Sequence, residues 1–351
     1  MTMRKRILIS GNEAAGEGAV QAGCQAYYGY PITPQNELTA YMSRRMIELG
    51  RVFIQAESEL AAINMVLGSA AAGARVMTSS SSPGISLMQE GLSYLAASQL
   101  PCVIINVQRG GPGLGNLGPS QSDYYQSCRA GGHGDYRCLV LAPSSVQEMF
   151  DYTYLAFELA DKYRNPVVVL SDARIGQLME PLYVPEREPP KPPPKPWALT
   201  GAMGREPNVI KTLLLVEDTL EEFDLLLQRK YEQVKREEVR FEEVATGDAE
   251  TVIVAYGTCA RLSKDLIETA RKEGLRVGLL RPITLFPFPS RRLGELAERV
   301  SRFLCIEMSA GQMLEDVQLA VSGRKPVHFH GKLGGHVPST KQLLQVLKSL
   351  Q

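Results

Sequence analysis

None of the six cysteines (Cys24, Cys102, Cys128, Cys138, Cys259 and Cys305) stands in a CxxC, and no group of them has zinc or iron–sulfur spacing. A redox cluster held by this chain alone is thereby excluded. Pro101-Cys102-Val103-Ile104 and Phe303-Leu304-Cys305-Ile306 place two of these thiols among apolar neighbours, where a reduced cysteine packs as a small core residue. An excess of one charge is also missing. Lys plus Arg and Asp plus Glu both number 38, so nothing points to nucleic acid or an anionic membrane as partner. No apolar run approaches the roughly 18–20 residues that a membrane span requires. Met1 to Arg6 is basic, but the apolar stretch behind it (Ile7 to Ile9) is too short for a signal peptide, and the expected location is the cytoplasm.

What is present is alternation. The chain has 351 residues, 44% hydrophobic and 22% charged, enough for two domains with sizeable cores. Strand-sized apolar runs at 6–10, 25–28, 52–55, 75–78, 102–107, 139–141 and 167–170 alternate with predicted helices at 13–23, 35–49, 58–73, 84–98 and 144–162. That order predicts an α/β fold, a doubly wound and mostly parallel sheet over residues 1–180. Eight of the 22 prolines fall in 181–196, which predicts a stiff extended linker over 181–207. A second α/β domain is expected over 208–351. It opens on an amphipathic helix whose stripe is Leu220, Phe223, Leu227, Tyr231 and Val234, ending near Glu238. Strands at 251–255, 277–280 and 303–307 follow, with helices at 261–273 and 290–300 and a proline-rich turn between 280 and 290.

Loops after the strands of an open parallel sheet form its binding crevice, and four of them are unusual. Tyr30-Pro31-Ile32-Thr33-Pro34 fixes the backbone around one hydroxyl; it also reads as a turn that starts a helix. Gln55-Ala56-Glu57-Ser58-Glu59 puts two carboxylates at a helix N-terminus, where they ordinarily complement the dipole. Glu59 is followed by so many apolar and small residues (Leu60-Ala61-Ala62-Ile63) that a buried carboxyl suited to proton transfer is expected there. Thr78 to Gly84 offers hydroxyls and backbone donors in Ser79-Ser80-Ser81-Ser82, although a serine run before Pro83-Gly84 also reads as a plain turn and cap. The fourth loop runs from Gln108-Arg109 through Gly110 to Asp123. Its glycine spacing is not GxGxxG, which argues against a nucleotide dehydrogenase. Arg109 at a strand end suits a carboxylate, or else a structural ion pair. The later loop Gly131 to Tyr136 has the flexibility of a lid, and its His133 carries no clear role.

Taken in order, YPITP at 30–34, ESELAAIN at 57–64 with its continuation AAGARVMTSSSSPG to Gly84, and VQRGGPG at 107–113 resemble the alpha subunit of 2-oxoacid:ferredoxin oxidoreductases. The C-terminal part, with Ile306 to Gln312, resembles that family's transketolase-C-terminal-like domain. The resemblance implies oxidative decarboxylation of a 2-oxoacid on thiamine diphosphate, with electrons passed to ferredoxin and acyl-coenzyme A released. By position Glu59 is similar to the carboxylate that bonds the pyrimidine ring nitrogen, the catalytic role. Thr33 and Arg109 are similar to the substrate contacts. Pro31, Ile32, Ser81, Ser82 and Gly84 are the remaining residues expected against the cofactor.

Family members resemble other thiamine enzymes in holding Mg²⁺ through Gly-Asp-Gly, yet Gly134-Asp135 runs on to Tyr136 and Gly247-Asp248 to Ala249. Mg²⁺ and the iron–sulfur clusters are therefore expected on partner chains. The implied partners are a beta subunit holding the diphosphate half-site, gamma and iron–sulfur subunits, and ferredoxin, in a dimer of heteromers. The stretch from Gln55 to Ala96, with GGPGLGN and GGHGDYR, is most similar to the 2-oxoisovalerate type, the 2-oxoglutarate type being the near neighbour. A second substrate carboxylate would need a second cation, and Arg129 and Arg137 are the only nearby candidates. A scaffold subunit without catalysis is the competing reading.

Overall fold

The computed structural model describes residues 4–185 and 190–350. The first unit begins with β1 (Arg4–Ser10), α1 (Gly11–Gln21), β2 (Ala26–Gly29), α2 (Asn36–Glu48), β3 (Val52–Gln55) and α3 (Glu59–Ala71). It continues with β4 (Val76–Ser80), α4 (Ser82–Leu87), α5 (Gln89–Ala97), β5 (Cys102–Gln108) and α6 (Tyr124–Cys128). Then come β6 (Leu139–Leu141), α7 (Val146–Tyr163), β7 (Pro166–Asp172), α8 (Ala173–Gln177) and β8 (Met179–Pro185). Every residue of β5 and β7 is buried, as continuous apolar runs in the middle of a parallel sheet should be. Helices start where hydroxyls can take backbone protons: Ser58 caps α3 through Ala61 and Ser145 caps α7 through Glu148.

A second group follows: α9 (Glu217–Glu237), β9 (Phe241–Val244), β10 (Thr251–Val254), α10 (Gly257–Lys272), β11 (Val277–Pro282) and β12 (Thr284–Phe286). It ends with α11 (Ser290–Ala297), β13 (Arg302–Glu307), α12 (Gln312–Val321), β14 (Val327–Gly331) and α13 (Thr340–Ser349). The main sheet has the order β12-β6-β7-β5-β4-β2-β3, and the second β14-β13-β10-β11-β9. Both are parallel except for the outermost strands β12 and β9. The fold is α/β with two mostly parallel sheets.

Four expectations need correction. The run at 6–10 does not enter the main sheet; β1 pairs antiparallel with β8 in a ribbon of its own. Its side chains explain this: Leu8 is 69% exposed while Ile9 is buried, the alternation of a one-sided strand. Residues 181–185 begin the expected linker as the strand β8, whose Pro181 and Pro185 are tolerated because the ribbon has only edges. Residues 186–189 of that linker lie outside the described residues. The helix expected at 84–98 is two, α4 and α5, broken at Met88. Finally, the proline-rich turn after β11 contains β12, which crosses to the other unit and pairs with β6.

The two units are locked together where strand ends meet. Asp172, at the end of β7, caps α8 and accepts from the Thr258 backbone N–H (3.1 Å) and hydroxyl (2.8 Å) at the start of α10. The Gln121 amide bonds Tyr256 O and Met308 N, and Gln121 N donates to Met308 O (2.8 Å). Loops after β5 and β7 therefore face loops after β10 and β13. Burial pushes the Asp172 carboxyl up, against the pull of Thr258.

Candidate functional site

The crevice is built at the C-terminal ends of β2, β3, β4 and β5, neighbours in the sheet. Beyond β2, Asn12 donates to Pro34 O (2.8 Å) and Gln35 to Tyr30 O (3.3 Å), which pins both ends of the Tyr30–Pro34 loop. Thr33 Oγ1 accepts from Asn36 Nδ2 (3.2 Å), leaving its own proton free to donate. Pro31 is exposed and Ile32 partly so, both beside the mouth of the sheet.

Beyond β3, Glu59 is the first residue of α3 and is only 4% exposed. Ser80 Oγ, from the end of β4, donates to its Oε1 (2.9 Å), and Oε2 has no hydrogen-bond partner among the described residues. Gly84 makes this seat possible. A Cβ at that position would collide with both the Glu59 carboxylate and Ser80 Oγ. Gly84→Ala is accordingly expected to push Glu59 aside and lower turnover by on the order of 10²-fold, the cost of an ångström-scale misplacement. Ferredoxin-coupled rates with a melting control check this, the control separating displacement from unfolding.

Beyond β5, Arg109 is buried and spans the crevice. Nη1 donates to Thr33 O (2.8 Å) and Nη2 to Leu114 O (3.1 Å), while Nε–H has no partner. Its backbone N–H donates to Ser82 Oγ (3.0 Å), whose hydroxyl donates to Asp123 Oδ2 (2.6 Å). Asn106 Nδ2 donates to the same oxygen (2.9 Å). Burial pushes the Asp123 carboxyl up, and these two hydrogen bonds pull it back. Ser81 is fully buried and gives its proton to Val107 O (2.7 Å), so its side chain serves to clasp β4 to β5.

Two contact groups, Glu59–Ser80–Gly84 and Ser82–Arg109–Thr33, are thus carried side by side by the one segment from Ser80 to Gly84. Ser80, Asp123 and Asn106 were not assigned from sequence; Ser80 lay inside the serine run, but no pattern could single out its hydroxyl. The second unit also reaches the crevice rim: Asn116 Nδ2 donates to Gly334 O (2.9 Å), and Gly118 packs so closely on Gly335 that neither could carry a side chain unchanged.

The other sequence candidates lie elsewhere. Arg129 pairs with Asp316 (2.8 Å), and Arg137 sits over the Phe286 ring just before β6. Leu139 is level with Val103 through β7, six residues before Arg109. That puts Arg137 on the order of 20 Å from Arg109 along the strand direction, at about 3.3 Å per residue. The loop 131–136 is tied to Gln89 and Gln228 rather than over the crevice, which corrects the expectation of a lid. Among the described residues, no group of three or more His, Cys, Asp or Glu could hold a metal ion. No described helix is long and apolar enough to cross a membrane.

A family model described as pyruvate flavodoxin/ferredoxin oxidoreductase, thiamine diphosphate-binding, matches residues 17–241. The chain belongs to the 2-oxoacid:ferredoxin oxidoreductase family. A second model, the pyruvate:ferredoxin oxidoreductase core domain II, matches residues 249–343. Ketoisovalerate oxidoreductase subunit VorB of Methanothermobacter thermautotrophicus is 54% identical over 98% of this chain and 97% of its own length. The 2-oxoglutarate synthase subunit KorA of Methanothermobacter marburgensis is 36% identical over 99% of this chain and 100% of its own. Among solved structures, a 2-oxoglutarate:ferredoxin oxidoreductase from Magnetococcus marinus, with 2-oxoglutarate, coenzyme A and succinyl-CoA bound, superposes with a TM-score of 0.86 at 26% identity. That match covers 98% of this chain, which spans 65% of the other's length. Thr33, Glu59 and Arg109 all fall within the residues that the thiamine-diphosphate-binding family model matches.

Proposed function

We propose that this chain is the pyrimidine-side subunit of a complex that oxidatively decarboxylates a branched-chain 2-oxoacid, 2-oxoisovalerate, to its acyl-coenzyme A with electrons to ferredoxin. The single observation that carries the reading is the Glu59 carboxyl, buried on Gly84 in the segment whose Ser82 also bonds Arg109, the partner of Thr33. A buried carboxyl with one oxygen unpartnered fits a ring nitrogen that needs a hydrogen bond. Thiamine diphosphate, when bound, supplies the carbanion chemistry that the side chains lack. Glu59 would hold a proton at the aminopyrimidine nitrogen. Arg109 would take the substrate carboxylate with its free Nε–H and neighbouring donors, and Thr33 would donate to the carboxylate or carbonyl. Pro31, Ile32, Ser82 and Gly84 would line the ring's seat, with Ser81 holding β4 and β5 in register behind it.

A beta subunit would hold the diphosphate and Mg²⁺, and gamma and iron–sulfur subunits would carry electrons onward. Assembly as a dimer of heteromers in the cytoplasm is part of the same reading. Six buried free thiols suit a reducing compartment. For the substrate, Arg129 and Arg137 are engaged elsewhere, which leaves the Arg109 side of the crevice to the Leu114 loop and favours an uncharged side chain. The higher identity to the ketoisovalerate relatives favours the same choice.

The test is ferredoxin-coupled turnover of the copurified complex on 2-oxoisovalerate, pyruvate and 2-oxoglutarate. The highest kcat/KM is expected on 2-oxoisovalerate, with 2-oxoglutarate at least tenfold lower. Preference for 2-oxoglutarate would overturn the substrate and leave the family standing.

A further inference from the structure

A cleft of about 790 Å³ lies where α9, the β12–α11 turn and the segment before β6 meet, away from the crevice around Arg109. Its volume falls in the range of small-molecule sites. The lining is unlike the neutral chain as a whole: six cationic side chains face two carboxylates, Glu295 and Asp316. Four of the cations are engaged, Arg129 by Asp316, Lys235 by Glu232, Arg291 by Glu295 and Arg292 by Glu243. Arg137 and Arg236 have no carboxylate partner among the described residues. Arg137 lies 5.8 Å over the Phe286 ring centroid, inside the roughly 6 Å reach of such a contact. Phe241 and Phe288 continue the apolar wall. The first turn of α11 also borders the cleft, and no side chain caps that helix.

Two guanidiniums without a carboxylate partner, of which Arg137 spends one N–H on Cys128 O (3.3 Å), stand beside an aromatic wall and recognise a specific kind of molecule. Guanidinium binds phosphate oxygens in pairs, and a planar ring stacks against arginine and phenylalanine. We infer that this cleft binds a small phosphorylated ligand with an aromatic ring, of the nucleoside diphosphate type. Arg137 and Arg236 take the phosphates, and Phe241 and Phe288 take the ring. Free nucleotide and the nucleotide end of coenzyme A share this chemistry.

Equilibrium binding of ADP to the assembled complex tests the inference without turnover, so it stands or falls apart from the thiamine reading. Arg236 is exposed at the end of α9, so Arg236→Glu should fold and assemble; Arg137→Gln is the second variant. One class of ADP sites per copy of this chain is expected to weaken at least tenfold in both, with melting temperature and subunit composition unchanged. A parallel rise in the KM for coenzyme A assigns the ligand to that molecule, and an unchanged KM assigns it to free nucleotide. Equal ADP affinity in wild type and both variants, or no saturable ADP binding to wild type, overturns the inference.

Discussion

Replacing Glu59 by alanine is expected to lower ferredoxin-coupled turnover by on the order of 10²–10⁴-fold with thiamine diphosphate saturating, the usual contribution of a positioned acid–base group. The size follows from where the carboxyl sits. Only 4% of Glu59 is exposed, Ser80 fixes one oxygen, and Gly84 leaves no atom between them. Water that entered the vacated space could hydrogen-bond a ring nitrogen but could not hold a proton on it with the same basicity. Glu59→Gln is the sharper variant, because its amide oxygen can still accept from Ser80 and the site keeps its shape. A comparable loss in both variants, with unchanged melting, assigns the effect to the carboxyl. Near-wild-type rates in either would remove Glu59 from the chemistry.

The largest effect on stability is expected at the junction between the units. Arg281, on β11, is fully buried and grips Glu148 of α7 with two parallel bonds (2.8 and 2.6 Å), while Nη1 also reaches Glu242 (2.9 Å). Arg281→Met keeps much of the volume but leaves Glu148 without its cation, which costs about 3–5 kcal/mol. Burial pulls the Glu148 carboxyl up, but the Arg281 hydrogen bond and charge outweigh it and hold the group below its ordinary value of 4.5. The stabilisation is therefore complete above that value and fades as the pH falls through the lower folded one. Denaturant midpoints of wild type and variant should lie far apart at neutral pH and converge in acid. A constant gap across that range would contradict the linkage.

Much of the fold was legible because parallel sheets write themselves into sequence as separate apolar runs. Runs such as 102–107 and 167–170 are buried on both faces, so neither needs a partner in view to be recognised. β12 was not legible: three residues between prolines give no periodicity, and pairing with Val140 and Leu141 is a long-range fact. β1 looked like its neighbours because a one-sided ribbon strand and a short sheet strand differ only in which residues alternate. In the site, Thr33, Glu59 and Arg109 stood out as polar residues in unusual strand-end loops. Ser80 and Asp123 did not, since their roles depend on partners 21 and 41 residues away in sequence. Arg129 and Arg137 looked close to Arg109 by number, yet strand direction carries Arg137 to the opposite end of the sheet and Arg129 is held by Asp316.

Hydrogen–deuterium exchange at the thiazolium C2 position of bound thiamine diphosphate, followed by rapid acid quench and NMR, addresses the role of Glu59 most directly. In the assembled complex, Glu59→Gln should slow that exchange by on the order of 10²-fold or more at equal cofactor occupancy. Exchange as fast as in wild type, with the cofactor fully bound, would contradict the account.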